Sequence, residues 1–395
     1  MSSSAGGDPW AWLGLLKWSL SYSDGTKDSS DTMTPMTPED RAFLELVMKE
    51  GIIDENERMK FILKQATLAM EYYQKCALEQ DSSIVKSEEE PPISDNALED
   101  LLQELRDIVE QIDYARAFLS LKGVPFLLGC VSETKAVPET IRLACFGILA
   151  TVSQNNPPVQ KELLELGALK TYSDLFFLNE EEDTTTTSMP LKARIMQATS
   201  SCVRNHEVAE TVFAHLEQAP ALMAAGLDPK FEPSSSLQSR TLFFLRALVT
   251  SDTATPSRVH TFAGPIVCVI DHYLQESNTQ DLRETALALL EQLLEQKKSI
   301  NAILLRKDFM VALGVQRISA LRALTGEDRD YAQTELESWT SLRILLARAT
   351  PDQESSSLPD VKEVEETLLL AWFELVLFTI NNNDGIIAIL ARLSF

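Results

Sequence analysis

The sequence predicts an all-α fold made of stacked helical repeats, and three observations predict it. Apolar residues recur at the i, i+3, i+4, i+7 spacing of one helix face, as at Leu98, Leu101, Leu102, Leu105, Ile108, Val109 and Ile112 behind the capping residue Ser94. The breakers are clusters of Pro, Gly and Ser. No strict two-residue alternation closed by an Asn-Gly turn appears, so almost no β structure is expected. Finally, helices of similar character begin at Ile141-Arg142, Leu191-Lys192, Leu237-Gln238 and Leu282-Arg283, spaced by 50, 46 and 45 residues.

Each of these helices carries a second apolar cluster, at Leu149 and Val152, Cys202 and Val203, Leu248 and Val249, Leu293 and Leu294. A short helix and a further apolar helix follow, as over 159–166 and 167–177. A unit of about forty residues and two or three helices is that of armadillo and HEAT repeats. One such unit cannot bury its own apolar face. Neighbours must stack, which predicts a right-handed solenoid of about four repeats with a concave and a convex side. The excess length falls in the acidic, Thr-rich stretch 179–188 and in 228–236, where loops at a solenoid's edge cost little.

Along the chain, three regions are expected: an N-terminal segment 1–95, a repeat domain 96–350 and C-terminal capping helices in 351–395. The first hundred residues hold nine basic and twenty acidic side chains, a balance of −11 within a total of −24. Two stretches of this segment, 21–38 and 80–95, read as flexible linkers by composition. Helical spacing covers 38–51 and 56–76 between them, and the 98–118 helix reads as the cap of the first repeat. At the other end, 360–380 and 385–393 read as helices folded over the last repeat.

The composition also excludes functions. A net charge of −24 repels phosphate backbones and anionic lipid, so neither nucleic acid nor membrane is an expected partner. The most apolar stretch, 368–380, is interrupted by Glu374 and is shorter than the ~20 residues that span a bilayer. Five cysteines without a Cys-x-x-Cys pair fit a reducing compartment. No phosphate-cradling glycine loop, His-Glu-x-x-His or Gly-x-Ser-x-Gly occurs, so no enzyme, no metal and no cofactor is expected. Cys202 with His206, four residues on, is the one spacing suited to activating a thiolate, and core packing explains it better. Lys86, Ser87, Thr34 and Thr37 fit short modification motifs in the linkers.

Specific residues then point to a family. They are Asp113-Tyr114-Ala115 with Phe118, then Ser153-Gln154-Asn155-Asn156-Pro157 with Gln160, and the run Leu164-Glu165-Leu166-Gly167-Ala168-Leu169. Leu15-Leu16-Lys17-Trp18-Ser19 and Ser201-Cys202-Val203-Arg204 add to them. Together they resemble the Fes-type, heat-shock-protein-70-binding-protein family of armadillo nucleotide-exchange factors, over about residues 10–30 and 97–260. Tyr114 stands where the family has Asn, and Ala219-Pro220 where it has Gly. The absence of a signal sequence favours the cytosolic branch, hence a cytoplasmic location with the nucleus also allowed.

The resemblance implies a nucleotide-exchange co-chaperone. Its concave face would bind the nucleotide-binding domain of heat-shock protein 70 near Ala115 and Arg204 and promote ADP release. Helix packing for Ala115 and a solvated helix end for Arg204 are the alternatives. The resemblance also implies a client-release segment at Trp10, Trp12, Leu13, Leu15, Leu16 and Trp18, against docking on the repeats or a weak surface anchor. The alternative function is an armadillo scaffold or transport adaptor that holds extended basic peptides. Its ladders of Trp and Asn are missing, because the five Trp stand at 10, 12, 18, 339 and 372.

Overall fold

A computed structural model describes residues 38, 54–81, 90–178, 188–229 and 235–351. The sequence features at 10–22, 179–187 and 352–395, and all but Pro38 of the 38–51 stretch, lie outside them. The chain divides into two units, Met1–Lys64 and Gln65–Phe395. Every regular element among the described residues is a helix. Helix α1, Glu55–Asp81, holds the predicted 56–76 stretch, and its Ala66, Ala69, Met70 and Tyr73 are buried.

The second unit continues with α2, Asp95–Val109, whose cap is the predicted one: the Ser94 hydroxyl accepts from the Ala97 amide at 3.4 Å. The expected 98–118 helix is broken. At Gln111 the backbone turns extended, with ψ of 127°, and α3, Ile112–Ser120, starts afresh. Ile112 therefore leaves the buried stripe and is half exposed. The broken end is the first junction of the repeat array.

From α3 onward the helices come in threes. They are α3, α4 (Gly123–Ser132) and α5 (Glu139–Ser153); α6 (Pro157–Glu165), α7 (Ala168–Phe176) and α8 (Met189–Val203). Next come α9 (Glu207–Ala214), α10 (Ala219–Gly226) and α11 (Ser235–Thr250); then α12 (Pro256–Thr261), α13 (Ala263–Tyr273) and α14 (Gln280–Glu295). The last set is α15 (Ile300–Leu304), α16 (Lys307–Arg322) and α18 (Gln333–Arg348), with one extra turn, α17 (Glu327–Tyr331). The four helices singled out by spacing are the third helices α5, α8, α11 and α14. A fifth, α18, completes the series, and α2 precedes it.

These third helices pack on one another in chain order, α2 on α5, α5 on α8, α8 on α11, α11 on α14 and α14 on α18. That ladder is the physical content of the repeat. Four of its helices contribute an aliphatic third residue to the core, Ile141, Leu191, Leu237 and Leu282, all at most 4% exposed. First and second helices fill the opposite side, where the Phe213 ring lies 5.0 Å from Phe244 and 6.1 Å from Phe262, and so joins two units. Buried aromatic pairs of this kind add ~0.5–1.5 kcal/mol beyond the area they bury.

Turns between units follow from residue type. Asn155 and Asn205, 50 residues apart, both sit at positive φ (51° and 60°), a region that asparagine enters more readily than most side chains. Gly167, with φ of 72°, makes the corner between α6 and α7. Gly226 serves close approach instead: a Cβ there would lie 2.4 Å from the Thr241 hydroxyl, so α10 and α11 meet across it.

Candidate functional site

The ladder leaves an open groove of about 850 Å³ along α2, α5, α8 and α11. Its floor is low because the rungs put small residues there, Ala144 and Gly147 on α5 and Ala193 on α8. Leu102, Leu143 and Pro190 add apolar wall. Three arginines enter this space, Arg106 from α2, Arg194 from α8 and Arg240 from α11.

Each guanidinium is held by a neutral oxygen. Arg106 Nε donates to Thr151 Oγ1 at 3.1 Å, Arg194 Nη1 to Gln197 Oε1 at 2.9 Å, and Arg240 Nη1 to the Ala193 carbonyl at 2.8 Å. Among the described residues no carboxylate lies within ion-pair distance of any of the three, although Glu99 and Asp100 stand at the α2 end of the same groove. Burial, followed by the charge of Arg106, lowers the proton affinity of Arg194. Burial and then both neighbouring arginines do the same to Arg240. The three charges are therefore close enough to repel one another.

Arg194, Gln197 and Ser201 follow at helical spacing on α8, with Arg204 as the extended residue just past its end, and Ser236, Arg240 and Phe243 follow on α11. The Arg204 guanidinium lies over the Phe243 ring, 4.6 Å from its centroid, and the ring is half exposed. Burial lowers the Arg204 pKa, and its Nε has no hydrogen-bond partner. The residue is thus neither a loose surface side chain nor a satisfied core group. Gln160 fixes the backbone beneath it, its amide donating to the Ser201 carbonyl at 3.0 Å and to the Arg204 carbonyl at 2.9 Å.

Ala115 is elsewhere. It belongs to α3, a first helix, and at 2% exposure it packs inside its unit, leaving no surface of its own for a partner to touch. The structure therefore places Arg204 at the end of α8, over Phe243, and Ala115 in the core. Residues Trp10, Trp12, Leu13, Leu15, Leu16 and Trp18 lie outside the described residues. The family-like run Ser153 to Gln160 proves to be a junction: the Asn156 amide donates to the Val152 carbonyl at 3.1 Å, and Asn155 accepts from Asn205 at 2.8 Å.

Other reactive types are placed structurally. Cys202 is fully buried and its thiol is pushed up to about 12 by that burial, while His206 caps α9 by accepting from the Ala209 amide at 3.1 Å. Asp271 pairs with Arg306 at 3.1 Å. Among the described residues no group of three His, Cys, Asp or Glu is placed to hold a metal ion, and no single helix is long and apolar enough to cross a membrane.

No family model matches the chain. By sequence it is similar to Hsp70-binding protein 1 of Mus musculus, 29% identical over 54% of this chain and 54% of that protein. The Homo sapiens protein of the same name is 28% identical over the same shares. The chain thus spans about half the length of the curated relatives it matches. Solved structures of similar shape include a designed armadillo repeat protein, 13% identical with a TM-score of 0.46, covering 62% of this chain and 94% of that one. Another is the armadillo repeats only protein from Plasmodium falciparum, 16% identical with a TM-score of 0.40, covering 61% of this chain and 98% of that one. Over about half its length, this chain is thus similar in sequence to proteins named Hsp70-binding protein 1.

Proposed function

We propose that the chain is a nucleotide-exchange co-chaperone of cytosolic heat-shock protein 70. Its groove face takes the chaperone's nucleotide-binding domain and holds it in the conformation that has lost ADP. The observation that carries this reading is the similarity to Hsp70-binding protein 1, a protein named for that partner. The groove supplies a means. A binder that prefers the nucleotide-free domain must lower ADP affinity by the same factor by which ADP lowers its own, so no bond has to be made or broken by this chain. A non-catalytic role agrees with the placement of Cys202 and His206 as core and cap.

Arg204 belongs to this contact as a fixed, desolvated guanidinium resting on an exposed ring, the type of residue that dominates binding energy when a partner covers it. Ala115 acts only through the packing of α3. The N-terminal segment with Trp10, Trp12, Leu13, Leu15, Leu16 and Trp18 assists client release by occupying the chaperone's apolar client groove, where tethering raises its effective concentration. The adaptor reading fares worse, because Arg106, Arg194 and Arg240 repel the basic peptides it requires.

Release of fluorescent ADP from the chaperone's nucleotide-binding domain tests the proposal. The full chain should accelerate it, and Arg204→Ala should weaken the effect with the helical spectrum unchanged. No acceleration at saturating protein would refute the assignment.

A further inference from the structure

Three mutually repelling guanidiniums in one groove are costly, and among the described residues no carboxylate pairs with them. Elsewhere in the repeats the fold does the opposite. Arg283 and Arg317 are both gripped by the buried Glu335, and Arg258 by the buried Glu210. Among the described residues, Arg106, Arg194 and Arg240 have only the Thr151 hydroxyl, the Gln197 amide oxygen and the Ala193 carbonyl. Every guanidinium carries five N–H donors, so each retains unused ones facing the groove.

The geometry points to an anion-binding subsite at Arg106, Arg194 and Arg240 that takes paired carboxylates from an acidic helix or strand of a partner protein. Planar forks match carboxylates two bonds at a time, and desolvated walls strengthen each bond. The apolar residues Leu102, Leu143 and Pro190 offer contact to the stems of such side chains. The groove is open along the helices, which suits a protein segment rather than an enclosed small molecule. Glu99 and Asp100 at the α2 end repel a uniformly anionic ligand and so fix the direction in which an acidic segment with a neutral or basic tail would lie.

Arg194 and Arg240 are 46 residues apart and are both the sixth residue of their third helices. The subsite is thus written in the repeat register, with Ala144 at the same place in α5 giving room. The inference stands on the groove's charge. From the proposed function it borrows only the expectation that the chaperone's nucleotide-binding domain is one source of such an acidic segment.

The test uses the full chain and the double variant Arg194→Gln with Arg240→Gln. A fluorescent peptide of alternating alanine and glutamate is the probe, with its lysine counterpart and inorganic phosphate as controls. The wild type should bind the glutamate peptide in a salt-sensitive way and ignore the lysine one. The variant should lose at least about tenfold in affinity, ~1.4 kcal/mol, with an unchanged or raised melting temperature. Equal affinity of the two proteins, or no binding by either, overturns the subsite. Displacement by phosphate at lower concentration than by free glutamate overturns the carboxylate assignment. A fall in melting temperature with the loss of binding overturns it too, because the arginines would then be holding the fold. Chaperone binding is read in parallel: loss of the peptide alone keeps the subsite and moves the chaperone contact elsewhere on the chain.

Discussion

The two ends of the third-helix ladder treat arginine in opposite ways. At the α14 to α18 end, Glu335 Oε1 accepts from Arg283 Nε at 2.9 Å and Arg317 Nε at 2.8 Å, and Oε2 accepts from Arg283 Nη2 at 2.8 Å and Arg317 Nη2 at 3.2 Å. Trp339 Nε1 donates to the same carboxylate at 3.3 Å, and Glu335 is fully buried. At the α2 to α11 end, Arg106, Arg194 and Arg240 face a groove and, among the described residues, meet neutral oxygens alone. A buried charge must be paired to be tolerated, and the first end obeys that rule as part of its core. The second end keeps its charges only partly buried and underbonded, which is affordable only where water or a partner reaches them.

The largest effect that sharpens this contrast comes from Glu335→Ala. It leaves Arg283 buried and Arg317 largely buried without their shared carboxylate, and urea unfolding should show a loss of ~3–5 kcal/mol. Acid reports on the same group. Burial alone would raise the Glu335 pKa, but the hydrogen bonds from Arg283 and then Arg317 outweigh it and hold the carboxyl at about 2, against an ordinary 4.5. The folded pKa lies below the unfolded one, so this stabilisation is complete above about 4.5 and drains away as pH falls toward about 2. Glu335→Gln should flatten that part of the stability profile.

A middle-sized effect belongs to the junction. Gln160→Ala removes the donor shared by the Ser201 and Arg204 carbonyls, for a loss of ~1–2 kcal/mol in thermal unfolding. It should also loosen Arg204 over Phe243, so under the proposed function chaperone affinity should fall alongside stability. The smallest effect is the most telling. Arg194→Gln should change stability by no more than ~0.5 kcal/mol, and in the favourable direction if anything, because it relieves repulsion from Arg106 and Arg240. A loss comparable to that of Glu335→Ala would erase the distinction between the two ends.

Much of the ladder was legible in the sequence because α5, α8, α11 and α14 each place an aliphatic residue third, Ile141, Leu191, Leu237 and Leu282. The fifth rung escaped that reading for a physical reason. In α18 the third residue is Glu335, an acid that only becomes a core residue once Arg283 and Arg317 arrive from two other helices. The break at Gln111 was hidden as well, since Ile112 continues the apolar spacing of α2 although it opens a new helix. The groove arginines were invisible individually. Their signal was the repeat spacing itself, Arg194 and Arg240 being as far apart as Leu191 and Leu237. Ala115 shows the converse, a motif residue whose burial follows from the packing of α3 and not from the motif.

Amide hydrogen exchange on the full chain, with and without the nucleotide-free nucleotide-binding domain of heat-shock protein 70, tests most directly whether the unpaired end is the partner's surface. The account predicts added protection in α5, α8 and α11 and unchanged exchange in α14 and α18. Protection confined to the first and second helices, or centred on α14 and α18, would contradict it.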